Sequence, residues 1–313
     1  MTAGKSLAEL RAGGKPALAR ALARLESSPD DAGMTALLDA AYVTPTAQVI
    51  GLTGPPGVGK STLAGALIQA YRRVGKTVAV IAIDPSSKRS GGALLGDRTR
   101  LRTDPDDNGI FVRSMAARDQ LGGLAEITYA AMVLMRALYD VVLIETVGVG
   151  QSETDIALAA DTVLFCVQPG SGDALQFMKA GIVEIPDIIA VTKGDLGRAA
   201  TRAQADVKGA LGLTEGRQDA ADWSVPVLIV SANAAEGVDK LVAAIGEHAA
   251  WLGADGRLSV KRAAQAGAWT QAAIKERWGR EGLRRLSHLS SGSVTDLTRE
   301  TPFQALAGFA RQL

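Results

Sequence analysis

The apolar positions of this chain change their spacing twice. Over the first forty-odd residues, leucines recur at helical intervals (Leu18, Leu22, Leu25) and the pattern breaks at Ser27-Ser28-Pro29-Asp30, so two short helices are predicted. From Gln48 the pattern becomes short apolar runs at 49–52, 78–83, 141–144, 162–167, 188–191 and 227–230, with amphipathic stretches between them. Runs this short, bounded by turn or polar residues, predict strands buried on both faces of a mainly parallel sheet, with helices as crossovers. After Trp251 the strand signal stops. Residues 259–286 predict a long charged amphipathic helix, and the pattern from Leu289 onward is ambiguous between element types.

The predicted class is therefore α/β, a central sheet flanked by helices with helical extensions at both ends. The boundaries fall at residues 1–46, 47–252 and 253–313. A length of 313 residues with 47% hydrophobic residues is enough for a sizeable core. The 34 Lys+Arg nearly cancel the 33 Asp+Glu, which argues against nucleic acid or anionic lipid as a partner. A lone cysteine, Cys166, excludes an intrachain disulfide and reads as a core residue. With only His248 and His288 besides, the chain lacks the soft-ligand cluster of a zinc or nickel site, which leaves an oxygen-ligated ion such as Mg²⁺. No apolar stretch reaches the roughly 18 residues of a membrane span, so a cytoplasmic chain is expected.

In open parallel sheets ligands sit at the carboxyl ends of strands, and the unusual polar residues fall there. Gly54-Pro55-Pro56-Gly57-Val58-Gly59-Lys60-Ser61, with Thr62 following, stands between a predicted strand and a predicted helix, as a phosphate-binding loop requires. Its glycines turn backbone N–H groups toward phosphate, Lys60 reaches the β- and γ-phosphates, and the Ser61 hydroxyl ligates Mg²⁺. The competing reading is a chance glycine-rich turn. Thr192-Lys193-Gly194-Asp195 follows a later strand. The Asp195 carboxylate accepts from both N1–H and the 2-amino group of guanine, donors that adenine lacks there, while the Lys193 stem packs along the base. Ser231-Ala232-Asn233 ends the next strand and closes the base pocket. A plain polar loop is the alternative for each piece, but two pieces in this order favour GTP and GDP as ligands.

Three carboxylates complete the candidate site. Glu145 opens Glu145-Thr146-Val147-Gly148, placing an acid near Mg²⁺ and the Gly148 N–H near the γ-phosphate; a solvated cap is the other reading. Asp84 ends the second strand beside the phosphate loop, or caps a helix. Asp97 lies in the glycine-containing run 91–100, whose arginines either sense phosphate or form a solvated cluster.

These residues resemble the MeaB/ArgK-type GTPases, chaperones of adenosylcobalamin-dependent acyl-CoA mutases. The likeness runs from about Gln48 to Trp251 and rests on 54–62, on 83–87 with 91–100, and above all on Glu145-Thr146-Val147-Gly148-Val149-Gly150-Gln151-Ser152-Glu153. It implies Mg²⁺ and hydrolysis roles for Ser61, Asp84, Asp97 and Glu145, and a homodimer built partly through the C-terminal helix. It also implies a third mobile loop at 169–179 in which Lys179 couples nucleotide state to the mutase. The family usually carries Asn where Thr192 stands, implying a looser tie between base pocket and phosphate loop. Ala174 and Phe177 replace the usual acidic residue and glycine, which points to a mutase other than the methylmalonyl-CoA enzyme, such as a 2-hydroxyisobutyryl-CoA or isobutyryl-CoA mutase. A P-loop kinase, with Asp84 as the only base on offer, and a nickel-type metallochaperone are the rival classes.

Overall fold

The computed structural model describes residues 6–85, 101, 103–117, 126–146, 155–170, 185–214, 222–289 and 300–312. The chain divides into two compact units, one of residues 48–123 and 141–257, the other of 1–47, 124–140 and 258–313.

The first unit is built on seven parallel strands: β1 (Gln48–Thr53), β2 (Val78–Pro85), β3 (Ile110–Ala117), β4 (Val141–Glu145), β5 (Thr162–Val167), β6 (Ile188–Val191) and β7 (Val227–Ile229), in the spatial order β3-β2-β4-β1-β5-β6-β7. Six of them are the predicted runs. The seventh, β3, pairs along its whole length with β2 and forms one edge of the sheet. Its apolar run is interrupted by Arg113-Ser114, which an edge strand tolerates and a central one would not.

Alternate residues of the strands feed one core. Ile50 and Leu52, Val78 and Val80, Leu143, Leu164 and Cys166 cluster with Leu63, Leu67 and Ile68 of helix α1 (Lys60–Arg73) and with Leu241 and Ile245 of α2 (Val238–Gly253). Each buried Leu there contributes about 1.5–3 kcal/mol. A smaller cluster joins Phe165, Val167, Ile189 and Val191 to Ala200, Val207 and Leu211 of α3 (Arg198–Thr214). The amino ends of the strands are joined by a polar network. Gln48 Nε2 donates to Thr162 Oγ1 (3.1 Å), which lies 2.9 Å from Nδ1 of the fully buried His248; His248 Nε2 is 3.3 Å from Asp187 Oδ1. Asp187 Oδ2 accepts from Val163 N (2.7 Å), and Asp161 Oδ2 accepts from Val49 N (2.8 Å). Polar groups linked in this way tie the strands together at the end away from the site.

The second unit is helical among its described residues: α4 (Leu7–Ser27), α5 (Ala32–Val43), α6 (Glu126–Arg136), α7 (Arg257–Leu289, which enters this unit at Leu258) and α8 (Pro302–Arg311). The predicted break near Pro29 is real: Asp31 caps α5 by accepting from Met34 N at 2.9 Å. A hydrogen bond from Arg24, reinforced by that amide, holds its carboxyl below the usual range. The long predicted helix is α7, with a non-helical turn at Gly279 (φ 61°, ψ −149°). The ambiguous terminus supplies α8, started by Thr301 and Pro302. Tyr129 stacks on Trp269 (5.0 Å) and Phe303 meets the Trp269 ring edge-on (5.0 Å), forming this unit's aromatic core. No helix of the described residues is long and apolar enough to cross a membrane.

Strand β1 carries the phosphate loop, and its packing tolerates no extra atom at Gly51. A Cβ there would lie 2.3 Å from Ile156 Cγ1 and 2.9 Å from Ala160 Cβ. Gly51→Ala should therefore lower stability by about 1–3 kcal/mol through overpacking, read as a shifted urea midpoint.

Candidate functional site

At the carboxyl end of β1 the chain passes over its neighbour β5. Gly54 adopts φ 134°, and a Cβ there would lie 2.3 Å from the Cys166 carbonyl oxygen, so only glycine lets the loop turn at this point. Burial pushes the Cys166 thiol up to about 12 against the weaker opposing pull of Lys60, and it remains an inert core group. The loop runs into α1, whose cap residue Gly59 supplies no side-chain hydrogen bond, leaving first-turn amides and the positive helix end directed at the loop. Lys60, 6% exposed, donates from Nζ to Gly54 O (2.7 Å) and Pro55 O (3.0 Å), which places a cation inside the loop's curve. Gly57 and Val58 complete the turn, and Thr62 is exposed in the first turn of α1.

The neighbouring strand on the other side, β4, brings Glu145 level with Leu52 of β1 and Ala82 of β2. Ser61 Oγ donates to Glu145 Oε1 at 2.5 Å. A hydroxyl and a carboxylate alone form an all-oxygen pair, the donor set that suits Mg²⁺, which takes few protein ligands beside phosphate oxygens and water. The backbone of Asp84 stands one residue before the end of β2, paired with Ala116 of β3, at the carboxyl end of the sheet where Glu145 also lies. Thr146, which sequence reading treated only as part of a motif, is buried: its Oγ1 donates to Thr53 Oγ1 (3.0 Å) and its N to Leu52 O (3.1 Å), fastening the start of the 146–150 segment to β1. Asp97, Gly148, Gln151 and Lys179 lie outside the described residues.

Beyond β5, the turn after β6 presents Thr192, Lys193, Gly194 and Asp195. Asp195 is exposed, and its Oδ1 accepts from the buried Ser231 hydroxyl at 2.8 Å, which aims the carboxylate. Ser231 is itself fixed by paired backbone bonds with Glu236 (2.9 and 3.0 Å), and Ala232 and Asn233 occupy the turn between them. The tie expected to be loose at Thr192 is firm. Its hydroxyl lies 2.6 Å from Val58 O in the phosphate loop and 2.9 Å from Val167 O at the end of β5, and its N donates to Val167 O at 2.8 Å. A β-branched hydroxyl at 5% exposure spans the gap that a longer amide would otherwise fill. One strand contact thus joins base loop and phosphate loop. Its legibility in sequence is low because Val58 and Thr192 are 134 residues apart.

A phosphate loop at the carboxyl ends of a parallel sheet, with an acid facing its serine, is the arrangement of a P-loop nucleotide-binding protein. Residues 18–282 match the family model described as methylmalonyl Co-A mutase-associated GTPase MeaB. The chain is 37% identical to the GTPase ArgK of Escherichia coli over 282 residues, covering 88% of this chain and 84% of that one. It is 39% identical over 230 residues to the mouse (Mus musculus) protein named methylmalonic aciduria type A homolog, mitochondrial, covering 72% of this chain and 55% of the mouse chain. The crystal structure of a protein named LAO/AO transport system kinase superposes with a TM-score of 0.67 at 30% identity, covering 90% of this chain and 95% of that one. The chain belongs to the MeaB family of P-loop GTPases.

Two variants probe the base side. Thr192→Val removes the hydroxyl from a buried carbonyl pair and should cost about 1–3 kcal/mol, seen as a lower Tm with faster release of both GTP and GDP. Asp195→Asn should weaken GTP binding by at least about 1–3 kcal/mol and shift preference toward xanthine nucleotide. Calorimetry that finds ATP and GTP bound equally by the unaltered protein would contradict the assignment of Asp195.

Proposed function

We propose that this GTPase serves as a nucleotide-driven chaperone of an adenosylcobalamin-dependent acyl-CoA mutase, gating delivery of the cofactor and protecting the mutase from inactivation. The observation that carries this reading is the family match, which spans the whole nucleotide site and extends into the helical segments on both sides. The mouse relative's name points the same way.

In this reading the protein binds GTP with Mg²⁺ and converts it to GDP and phosphate: water attacks the γ-phosphorus and the bond to the β-phosphate oxygen breaks. Mg²⁺ offsets phosphate charge when bound. Ser61 and Glu145 would hold it, with Asp84 and Asp97 as further acids of the same set. Gly54, Gly57, Val58, Gly59 and Thr62 line the phosphates, and Lys60 neutralises charge between the β- and γ-groups. Lys193, Asp195 and the Ser231-Ala232-Asn233 turn receive guanine, with Thr192 supporting them from below. The Gly148 amide reports the γ-phosphate, and Lys179 carries that report to the mutase. The protein acts in the cytoplasm as a homodimer assembled in part through 253–313.

A kinase is the second reading, favoured by the name of the protein whose structure superposes. It requires an acceptor beside the γ-phosphate and a base for its hydroxyl, a role open to Asp84.

Linkage decides between them. If GTP and GDP set the partner-facing loops differently, the mutase must bind the two forms unequally, by about 5–150-fold for an ordinary coupling energy of 1–3 kcal/mol. Steady-state GTPase assays with each purified cobalamin mutase of the source organism should show stimulation by one of them, with Lys179→Ala impairing the stimulation and sparing the basal rate. Cofactor transfer to that mutase should differ between GTP and GDP. No stimulation by any mutase, together with no nucleotide effect on loading, would put the kinase first.

A further inference from the structure

The end of β5 holds the nucleotide site together at three consecutive residues. Cys166 supports the phosphate loop through its carbonyl beneath Gly54, and Val167 O accepts the N–H of Thr192 and lies 2.9 Å from its hydroxyl. The third residue, Gln168, reaches the base loop through its side chain, where Oε1 accepts from Lys193 Nζ. Gln168 is half-buried and Lys193 is exposed.

The backbone of Lys193 leaves little freedom of its own. It sits in the left-handed region (φ 53°, ψ 44°), pinned on one side by Thr192 and on the other by the bond from Gly194 N to Val230 O at 3.0 Å. What remains variable is the four-carbon side chain. An exposed lysine samples many rotamers, and stilling it when a base arrives costs conformational entropy. A contact already made by Gln168 removes part of that cost, because the stem is held in one direction before the ligand is bound.

We propose that Gln168 is a positioning residue for guanine nucleotide: its side-chain carbonyl holds the Lys193 ammonium so that the lysine stem forms a preset wall of the base pocket. The proposal rests on the reading of 192–195 as the guanine site. Gln168 acts through Lys193 and touches no reacting atom, so its effect falls on nucleotide retention. An acceptor is what the position needs; glutamate satisfies it and an aliphatic side chain of similar size does not.

The test is stopped-flow release of a fluorescent GDP from the full chain in Mg²⁺, for the unaltered protein, Gln168→Leu, Gln168→Met, Gln168→Glu, Lys193→Met and the Gln168→Leu/Lys193→Met double variant. Thermal melts followed by circular dichroism accompany each. Gln168→Leu and Gln168→Met should release GDP about three- to tenfold faster, the effect of losing one hydrogen bond of ordinary net strength. Gln168→Glu should stay within about twofold of the unaltered rate. In the Lys193→Met background, Gln168→Leu should change nothing further, because the two residues act as one unit. A structural role for Gln168 would instead make the two substitutions additive, and that outcome overturns the proposal. So does release from Gln168→Leu and Gln168→Met at the unaltered rate. Failure of the unaltered protein to retain GDP would overturn the guanine-site reading itself, and this is seen before any variant is compared.

Discussion

The nucleotide site depends on one close approach, that of Gly54 to the carbonyl of Cys166. Parallel strands lie about 4.8 Å apart, so a loop that leaves β1 and must wrap a phosphate group has to cross the end of an adjacent strand at once. With φ 134° and no Cβ, Gly54 makes that crossing against β5. Once the loop lies there, its Val58 carbonyl comes within reach of Thr192, and the strand that supports the phosphates also supports the base loop. The 54–61 loop and the 192–195 turn are thereby held by the same short stretch of backbone.

The two ends of the strands are treated differently. At the amino ends, Gln48, Thr162, His248 and Asp187 form a buried polar chain, and Asp161 and Asp187 each accept a strand N–H. Such a network resists register slip because a shifted pairing would break these bonds. At the carboxyl ends the described polar groups are partly open. Glu145 illustrates the difference. Its second methylene lets a carboxylate at the tip of β4 cross to Ser61 in the first turn of α1, directly bonding two groups that both suit a hard cation.

Most of this was legible from residue order, and the exceptions have a common cause. Six strands declared themselves as apolar runs because central parallel strands are buried on both faces. The edge strand β3 did not, since a strand with one neighbour can carry Arg113 and Ser114. The phosphate loop and the Asp195 turn are local motifs and were readable as such. Contacts made by one side chain across long separations were not: Thr146 to Thr53, Thr192 to Val58, and Gln168 to Lys193 involve ordinary residue types that carry no pattern. At Thr192 the departure from Asn suggested a loose joint. A short hydroxyl makes a firm one here because β5 and the phosphate loop bring two carbonyls to it.

That joint has a thermodynamic consequence. A hydroxyl has one proton, and Thr192 faces two acceptors, Val58 O at 2.6 Å and Val167 O at 2.9 Å. Val167 O has a second donor in the Thr192 amide, whereas Val58 O belongs to the loop that must adjust to phosphate. The proton therefore serves the loop at little cost to the strand, and a shift of the loop changes what holds the base turn. By linkage, if phosphate engages the loop and a base engages the 192–195 turn, the free energy that one feeds into this contact is returned in equal measure to the other. A site joined in this way would favour a whole nucleotide over its separate parts.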